Sequence, residues 1–178
     1  MRARGYTLLE ILIAVLVLAL GIIGGAGLQL GALRARHQSV LLSQATQLAA
    51  SLAERMRANP AQSDTYLTLN YDALAEPAPA APSALCHGGA CDAVQLALAD
   101  LYDAKVLAQQ TLPGGRVLIC RDAGLWSGGK LRWDCSGGAG APLVVKVGWR
   151  GKRPDGKPDV DIDGVHPPSV AMLAGMKP

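Results

Sequence analysis

Between Tyr6 and Leu33 the chain carries one charged side chain, Glu10, in a run that is otherwise overwhelmingly apolar. About 20 apolar residues suffice for a helix to cross the hydrocarbon core of a bilayer. The run is therefore expected to form a membrane-spanning helix around which the rest of the chain is arranged. The acid is the informative exception, because an ionised carboxylate inside a spanning helix costs on the order of 3 kcal/mol even on mild insertion scales. Glu10 either lies close enough to the membrane edge to reach the headgroups or meets a cation within the membrane, and the second reading explains why an anchor would carry it.

A cation becomes available if the chain is cut after Gly5, since the new α-amine on Tyr6 is charged near neutral pH. That amine and the Glu10 carboxylate are four residues apart in one chain. Pairing between neighbouring subunits would neutralise both charges and fix a stagger between parallel helices. A short basic leader ending in Gly5, then aromatic Tyr6, Thr7-Leu8-Leu9-Glu10 and a long apolar helix resembles the class III leader of type IV pilins and pseudopilins. The resemblance implies cleavage after Gly5 by a prepilin peptidase, N-methylation of Tyr6 and a role for Glu10 in subunit assembly. Tyr6 departs from the family's usual Phe while keeping the aromatic ring.

An ordinary secretory signal is the competing reading of this end, with a core of about 7 to 15 apolar residues and a small-residue cleavage site. The run here is too long, and it passes into Gly31-Ala32-Leu33-Arg34-Ala35-Arg36 without an A-x-A-like site. Arg2, Arg4 and the initiating amine favour a cytoplasmic leader by the positive-inside rule. Arg34 and Arg36 oppose this weakly. The expected placement is a single pass through the inner membrane with a periplasmic head.

At 178 residues the chain has room for one membrane helix and one modest head. Through Arg57 there are six Lys or Arg against two Asp or Glu, leaving eleven against twelve for the rest, so the head is nearly neutral. Neutrality argues against nucleic-acid binding, which calls for a basic face. With no Phe, three Trp and four Tyr, an obvious base-stacking platform is also lacking.

Gly21, Gly24, Gly25, Gly27 and Gly31 punctuate the apolar run. Two G-x-x-x-G spacings would permit close helix approach in lipid, but the favoured reading is a pliable segment among packed neighbours. Past Leu33 the pattern turns amphipathic: Leu41, Ala45, Leu48, Leu52 and Met56 form one apolar stripe. Pro60 restricts the residue before it and places the helix end at Ala58 or Asn59. A helix from Tyr6 to Ala58 is roughly 80 Å long at 1.5 Å per residue.

Glu54-Arg55-Met56-Arg57-Ala58-Asn59-Pro60 resembles the end of the long helix in PilV, the type IV pilus modification group of minor pilins, although charged residues before Asn-Pro also make a serviceable stop in any helix. No chemistry is assigned to Arg55 or Arg57. Leu112-Pro113-Gly114-Gly115 and Val145-Lys146-Val147-Gly148-Trp149 resemble the head of the same group.

The segment 59–91 reads as a connecting loop, with Glu76-Pro77-Ala78-Pro79-Ala80-Ala81-Pro82 as an extended Pro/Ala-rich core. Four cysteines on the extracytoplasmic side favour two disulfides. Three pairings are open. Cys86 with Cys91 and Cys120 with Cys135 is preferred, because each closes a short loop, the second adding about 3 kcal/mol in the chain-entropy model. A zinc site is disfavoured because no pair has C-x-x-C spacing. Asp92 offers an N-cap with Gln95 in capping-box position. Val94, Ala97, Leu98, Leu101, Ala104 and Ala108 form the apolar face of the helix that follows. Strands are expected at Val117 to Arg121, Leu131 to Cys135 and Leu143 to Trp149, separated by Gly-rich turns.

Asp159-Val160-Asp161-Ile162-Asp163-Gly164 begins like a calcium loop, but its twelfth position is Val170 and Pro167-Pro168 oppose an exiting helix. A solvated acidic turn between Lys152, Arg153 and Lys157 is preferred. His37, His87 and His166 each lack an evident nucleophile and orienting acid, so catalysis has little support.

The expected fold is α+β: leader 1–5, long helix 6–58 with 6–33 transmembrane, connecting loop 59–91, and a helix-plus-antiparallel-sheet head at 92–178. The resemblance implies a non-catalytic minor pilin without a cofactor, which helps initiate type IV pilus assembly and present tip components, with adhesion and twitching motility as the cellular setting. Its implied partners are other minor pilins, the major pilin, the prepilin peptidase, the inner-membrane assembly machinery and a tip adhesin. A minor pseudopilin of type II secretion, or an anchored extracytoplasmic ligand- or metal-binding domain, are the alternatives.

Overall fold

The computed structural model describes residues 7–153, 156–160 and 164–175. Helix α1 runs Leu8–Ala58. A 3-10 turn at Pro60–Gln62 and the short helix α2, Ser63–Tyr66, lead to strand β1, Asn70–Asp72. Helix α3, Ala93–Thr111, precedes β2, Arg116–Arg121. A two-stranded hairpin, β3 at Trp126–Ser127 and β4 at Lys130–Leu131, separates β2 from β5, Leu143–Gly148, and β6, Val170–Gly175, ends the sheet. The chain divides into two units, Met1–Gln38 and Ser39–Pro178.

In the first unit Thr7 immediately precedes α1, and its backbone carbonyl and hydroxyl oxygen accept the Glu10 N–H at 3.1 and 3.3 Å. Residues 7–37 are all exposed, and the five glycines lie within unbroken helix with open space where each Cβ would be.

In the second unit the stripe Leu41, Ala45, Leu48, Leu52 and Met56 is buried, flanked by Ala49 and Ala53. It joins Ala97, Leu101, Ala104 and Ala108 of α3, and Val117, Ile119, Val145 and Val147 of β2 and β5, in one core. Fully covered alanines at 45, 49 and 53 bring the helix backbone close to its neighbours. Each buried apolar side chain of this kind contributes about 1–3 kcal/mol, according to size. Asp92 and Gln95 form the reciprocal capping box of α3, which satisfies two otherwise orphaned N–H groups. Val94 and Leu98, expected on the buried face of that helix, are more than two-fifths exposed. The α3 face that reaches the core is narrower than its apolar composition.

The main sheet is antiparallel throughout, in the order β1-β2-β5-β6. Segment 59–91, expected to be a connecting loop, supplies its short edge strand β1, with Tyr71 opposite Val117. Edge strand β6 is a further element that sequence patterning did not single out. The expected strand Leu131 to Cys135 is corrected: only Lys130–Leu131 is strand. The cause is chemical, since the carbonyls of Arg132, Trp133 and Asp134 turn towards the Lys146 ammonium instead of a ladder partner.

Candidate functional site

On α1 the site residues sit at the very start. Gly5 and Tyr6 lie outside the described residues. Glu10 is the third residue of the helix, where a carboxylate complements the positive end of the helix dipole. The carboxylate itself is exposed and has no hydrogen-bond or ion-pair partner among the described residues. Around it the surface is apolar: Leu8, Leu9, Ile11, Leu12 and Ile13 are each more than half exposed. Among the described residues α1 is the one helix long and apolar enough to cross a membrane. A helix with such a surface can be stable only where lipid or another apolar surface covers it.

In the head, several charges are paired internally. Arg55 donates to Asp100 Oδ1 at 2.6 Å and to Asp103 Oδ2 at 3.3 Å, and the Tyr66 hydroxyl donates to Asp100 Oδ2 at 2.6 Å. Burial works against the Arg55 charge, but Asp100 and Asp103 outweigh it and raise its pKa. Burial, then the bond to Asp100, pushes the Tyr66 phenol well above its ordinary range. Asn59 Nδ2 donates to the Ala93 carbonyl at 2.7 Å, and Arg57 reaches the Leu173 carbonyl at 2.5 Å as well as Glu54. The end of α1 is therefore bolted to α3 and to β6. Arg55 and Arg57, given no chemistry on sequence grounds, have structural partners.

On the other face of β5, Lys146 is fully buried between core valines that point the opposite way. Its ammonium donates to Asp122 Oδ2 at 2.6 Å and to the carbonyls of Arg132 and Asp134, both at 2.8 Å. Asp122 Oδ1 accepts from the Gly124 and Ser136 N–H groups at 2.8 and 3.2 Å. Burial alone would raise the Asp122 pKa; the Lys146 bond and the two backbone donors prevail and lower it from 3.8 to about 2. Sequence reasoning missed this pair, although a lysine inside Val144-Val145-Lys146-Val147 is a signal, since a buried ammonium needs a partner.

Cys120 is bonded to Cys135 and Cys86 to Cys91. The first bridge closes the loop that holds both Asp122 and the β3–β4 hairpin. Cys86 adopts φ +59°, a left-handed conformation uncommon outside glycine. His37 is exposed, His87 lies 3.8 Å from Asp103, and the backbone carbonyl of His166 accepts the Trp133 indole N–H at 2.7 Å. Among the described residues, no nucleophile, base and orienting acid are recorded together at any of the three. Among the described residues no group of three or more His, Cys, Asp or Glu could hold a metal. Asp159 lies 3.4 Å from Arg153 and 3.7 Å from Lys130. Asp161 and Asp163 of the expected acidic turn fall outside the described residues.

Residues 27–102 match a family model, Tt1218-like, described as type IV pilin Tt1218. Residues 1–26 match the prokaryotic N-terminal methylation motif. No curated protein and no solved structure matches the chain. Together, the pilin model and the methylation motif imply processing by a prepilin peptidase and pilus assembly. The long apolar N-terminal helix and the small antiparallel sheet have the arrangement of the type IV pilin fold, and the pilin model that the chain is similar to covers 27–102 of its 178 residues.

Proposed function

We propose that the chain is a minor pilin of the PilV group, cut between Gly5 and Tyr6, N-methylated at Tyr6, and assembled through α1 with the major pilin and other minor pilins. In this reading it is first a single-pass inner-membrane protein with a periplasmic head. It then helps initiate the pilus and present a tip component such as an adhesin. The work is done by packing, not by catalysis.

The observation that carries the proposal is Glu10, an exposed carboxylate in the first turn of an apolar helix with no partner among the described residues. Once that helix enters lipid or a bundle of its own kind, an unpaired carboxylate there costs on the order of 3 kcal/mol. The amino terminus of a neighbour at Tyr6 would remove the penalty and would do so only at one stagger between the helices. Misaligned neighbours would leave both charges unpaired. The PilV assignment within the pilins is supported by Glu54-Arg55-Met56-Arg57-Ala58-Asn59-Pro60 and by the head motifs that share that group's pattern.

Mass spectrometry of the mature amino terminus from the native host tests the reading. The expected result is a chain beginning at methylated Tyr6, with Glu10→Ala processed normally but missing from sheared surface filaments. An intact leader would overturn it. Normal assembly of Glu10→Ala would remove the role given to the acid. Loss of filament initiation when the gene is deleted, with major pilin still made, is expected of an initiating minor subunit.

A further inference from the structure

Four cysteines allow three pairings, and the head holds one of them. The sheet alone does not choose it. Cys120 of β2 stands opposite Val144 of β5, and Leu118 stands opposite Lys146. Residues opposite each other in a sheet, and residues two apart along a strand, share a face. Cys120 and Lys146 therefore lie on one face as diagonal neighbours, about 7–8 Å apart. Cys135 has no strand to place it: β4 ends at Leu131, and residues 132–142 form no helix or strand, with Gly137 and Gly138 at φ +68° and +89°.

Instead, the residues on both sides of Cys135 are held by the Lys146–Asp122 pair. Before it, the carbonyls of Arg132 and Asp134 accept from the Lys146 ammonium, each at 2.8 Å, and that of Trp133 does so at 3.4 Å. After it, the Ser136 N–H donates to Asp122 Oδ1 at 3.2 Å. The other hydrogen bonds from 133–137 to the rest of the head join neutral groups: Trp133 Nε1 to the His166 carbonyl at 2.7 Å, the Ala123 N–H to Ser136 Oγ at 2.7 Å, and the Gly137 N–H to the Arg121 carbonyl at 3.0 Å. Bonds to a charged group are roughly twice as strong as neutral ones. The Cα atoms of Cys120 and Cys135 are 6.3 Å apart. Beyond about 7 Å a bridge requires backbone movement, so a retreat of less than about 1 Å takes Cys135 out of reach.

We propose that Lys146 is a positioning residue for the Cys120–Cys135 bridge. With Asp122 it docks residues 132–136 on the sheet while the thiols are still reduced, and so raises the effective concentration of Cys135 at Cys120 above that at Cys86 or Cys91. The oxidant is a disulfide-bearing thiol reagent or protein. One cysteine thiolate attacks its S–S bond, and the other then displaces the mixed disulfide. The Cys120–Cys135 bond forms, the oxidant's S–S bond breaks, and the oxidant leaves as two thiols with the two electrons and two protons. By linkage the coupling is mutual, so the closed bridge strengthens the ion pair by the same factor. This role concerns how the head folds and is independent of how the chain enters a filament.

The test equilibrates the full-length chain in detergent micelles with graded ratios of reduced to oxidised glutathione. Free thiols are then alkylated and the pairs mapped by mass spectrometry, which gives an effective concentration for each. The main variant combines Asp122→Ala with Lys146→Met, because it removes the cage without leaving a buried charge unpaired. The effective concentration of the Cys120–Cys135 pair is expected to fall about tenfold, inside the roughly 5–150-fold range of coupled sites. The Cys86–Cys91 pair, which closes its loop ahead of α3, should keep its wild-type value. Pairs joining Cys120 or Cys135 to Cys86 or Cys91 should increase. Should the double variant lose its cooperative unfolding transition in urea, Asp122→Asn takes its place, since it removes the ion pair and keeps an acceptor oxygen for the Gly124 and Ser136 N–H groups. An unchanged Cys120–Cys135 value in the folded variant would overturn the proposal. An equal fall for both bridges would do the same, because it would mark a general loosening of the head in place of a selective one.

Discussion

Glu10 and Asp122 are both carboxylates, but they differ in where their partners lie. Asp122, beneath the head's sheet, is almost completely enclosed and has a lysine and two backbone donors within its own chain. Glu10, on the exposed apolar half of α1, has no such partner among the described residues. A charge satisfied internally stabilises one folded chain. A charge left over at an apolar surface selects the neighbour and the register that can satisfy it. The same division appears along α1, which is exposed on every side through residue 37 and then buries one stripe from Leu41 to Met56.

The sharpest way to break the comparison is to remove the internal partner. Asp122→Ala leaves the Lys146 ammonium buried and unpaired and is expected to destabilise the head by about 3–5 kcal/mol, measured by denaturant unfolding of the full chain in micelles. Adding Lys146→Met should recover most of the loss. A double variant no more stable than Asp122→Ala would show that the pair is not the source. Separating Cys120 from Cys135 by a double Ala substitution comes next, at about 3 kcal/mol. Tyr66→Phe removes one of the two bonds to Asp100 and should cost about 1.5 kcal/mol, the low end for a bond to a charged group because Arg55 remains.

Acid probes the same contrast. The Asp122 pKa is lowered on folding, so its contribution is complete above the unfolded value near 3.8 and is lost as pH falls towards about 2. The unfolding midpoint of wild type should drop across that window more steeply than that of Asp122→Asn. Glu10→Ala has the smallest expected effect on the head, within about 0.5 kcal/mol, together with the largest on assembly. A large loss of head stability in that variant would erase the distinction between the two acids.

Features governed by one dominant local signal were legible in the sequence. The lone acid in an apolar run, the four-three-four spacing of Leu41 to Met56, the Asn59-Pro60 stop and the Asp92/Gln95 box each depend on residues within a turn or two of one another. What was missed depends on distant partners. Asn70-Tyr71-Asp72 is too short and polar to announce a strand, and it becomes one because Val117 and its neighbours offer an edge. Leu131 to Cys135 has strand composition but surrenders its carbonyls to Lys146, more than ten residues away.

The bridge between Cys120 and Cys135 would change what a protease could do to the head. Lys130 lies inside the closed loop at the hairpin turn, with 43% of its side chain exposed. The chain before it supplies β1 and β2, and the chain after it supplies β5 and β6. A cut at Lys130 would turn the pairing of β2 with β5 into a contact between two polypeptides. The disulfide holds those polypeptides together, and the Lys146–Asp122 pair spans the same break. A head clipped there would stay in one piece, and the damage would show as two fragments only after reduction.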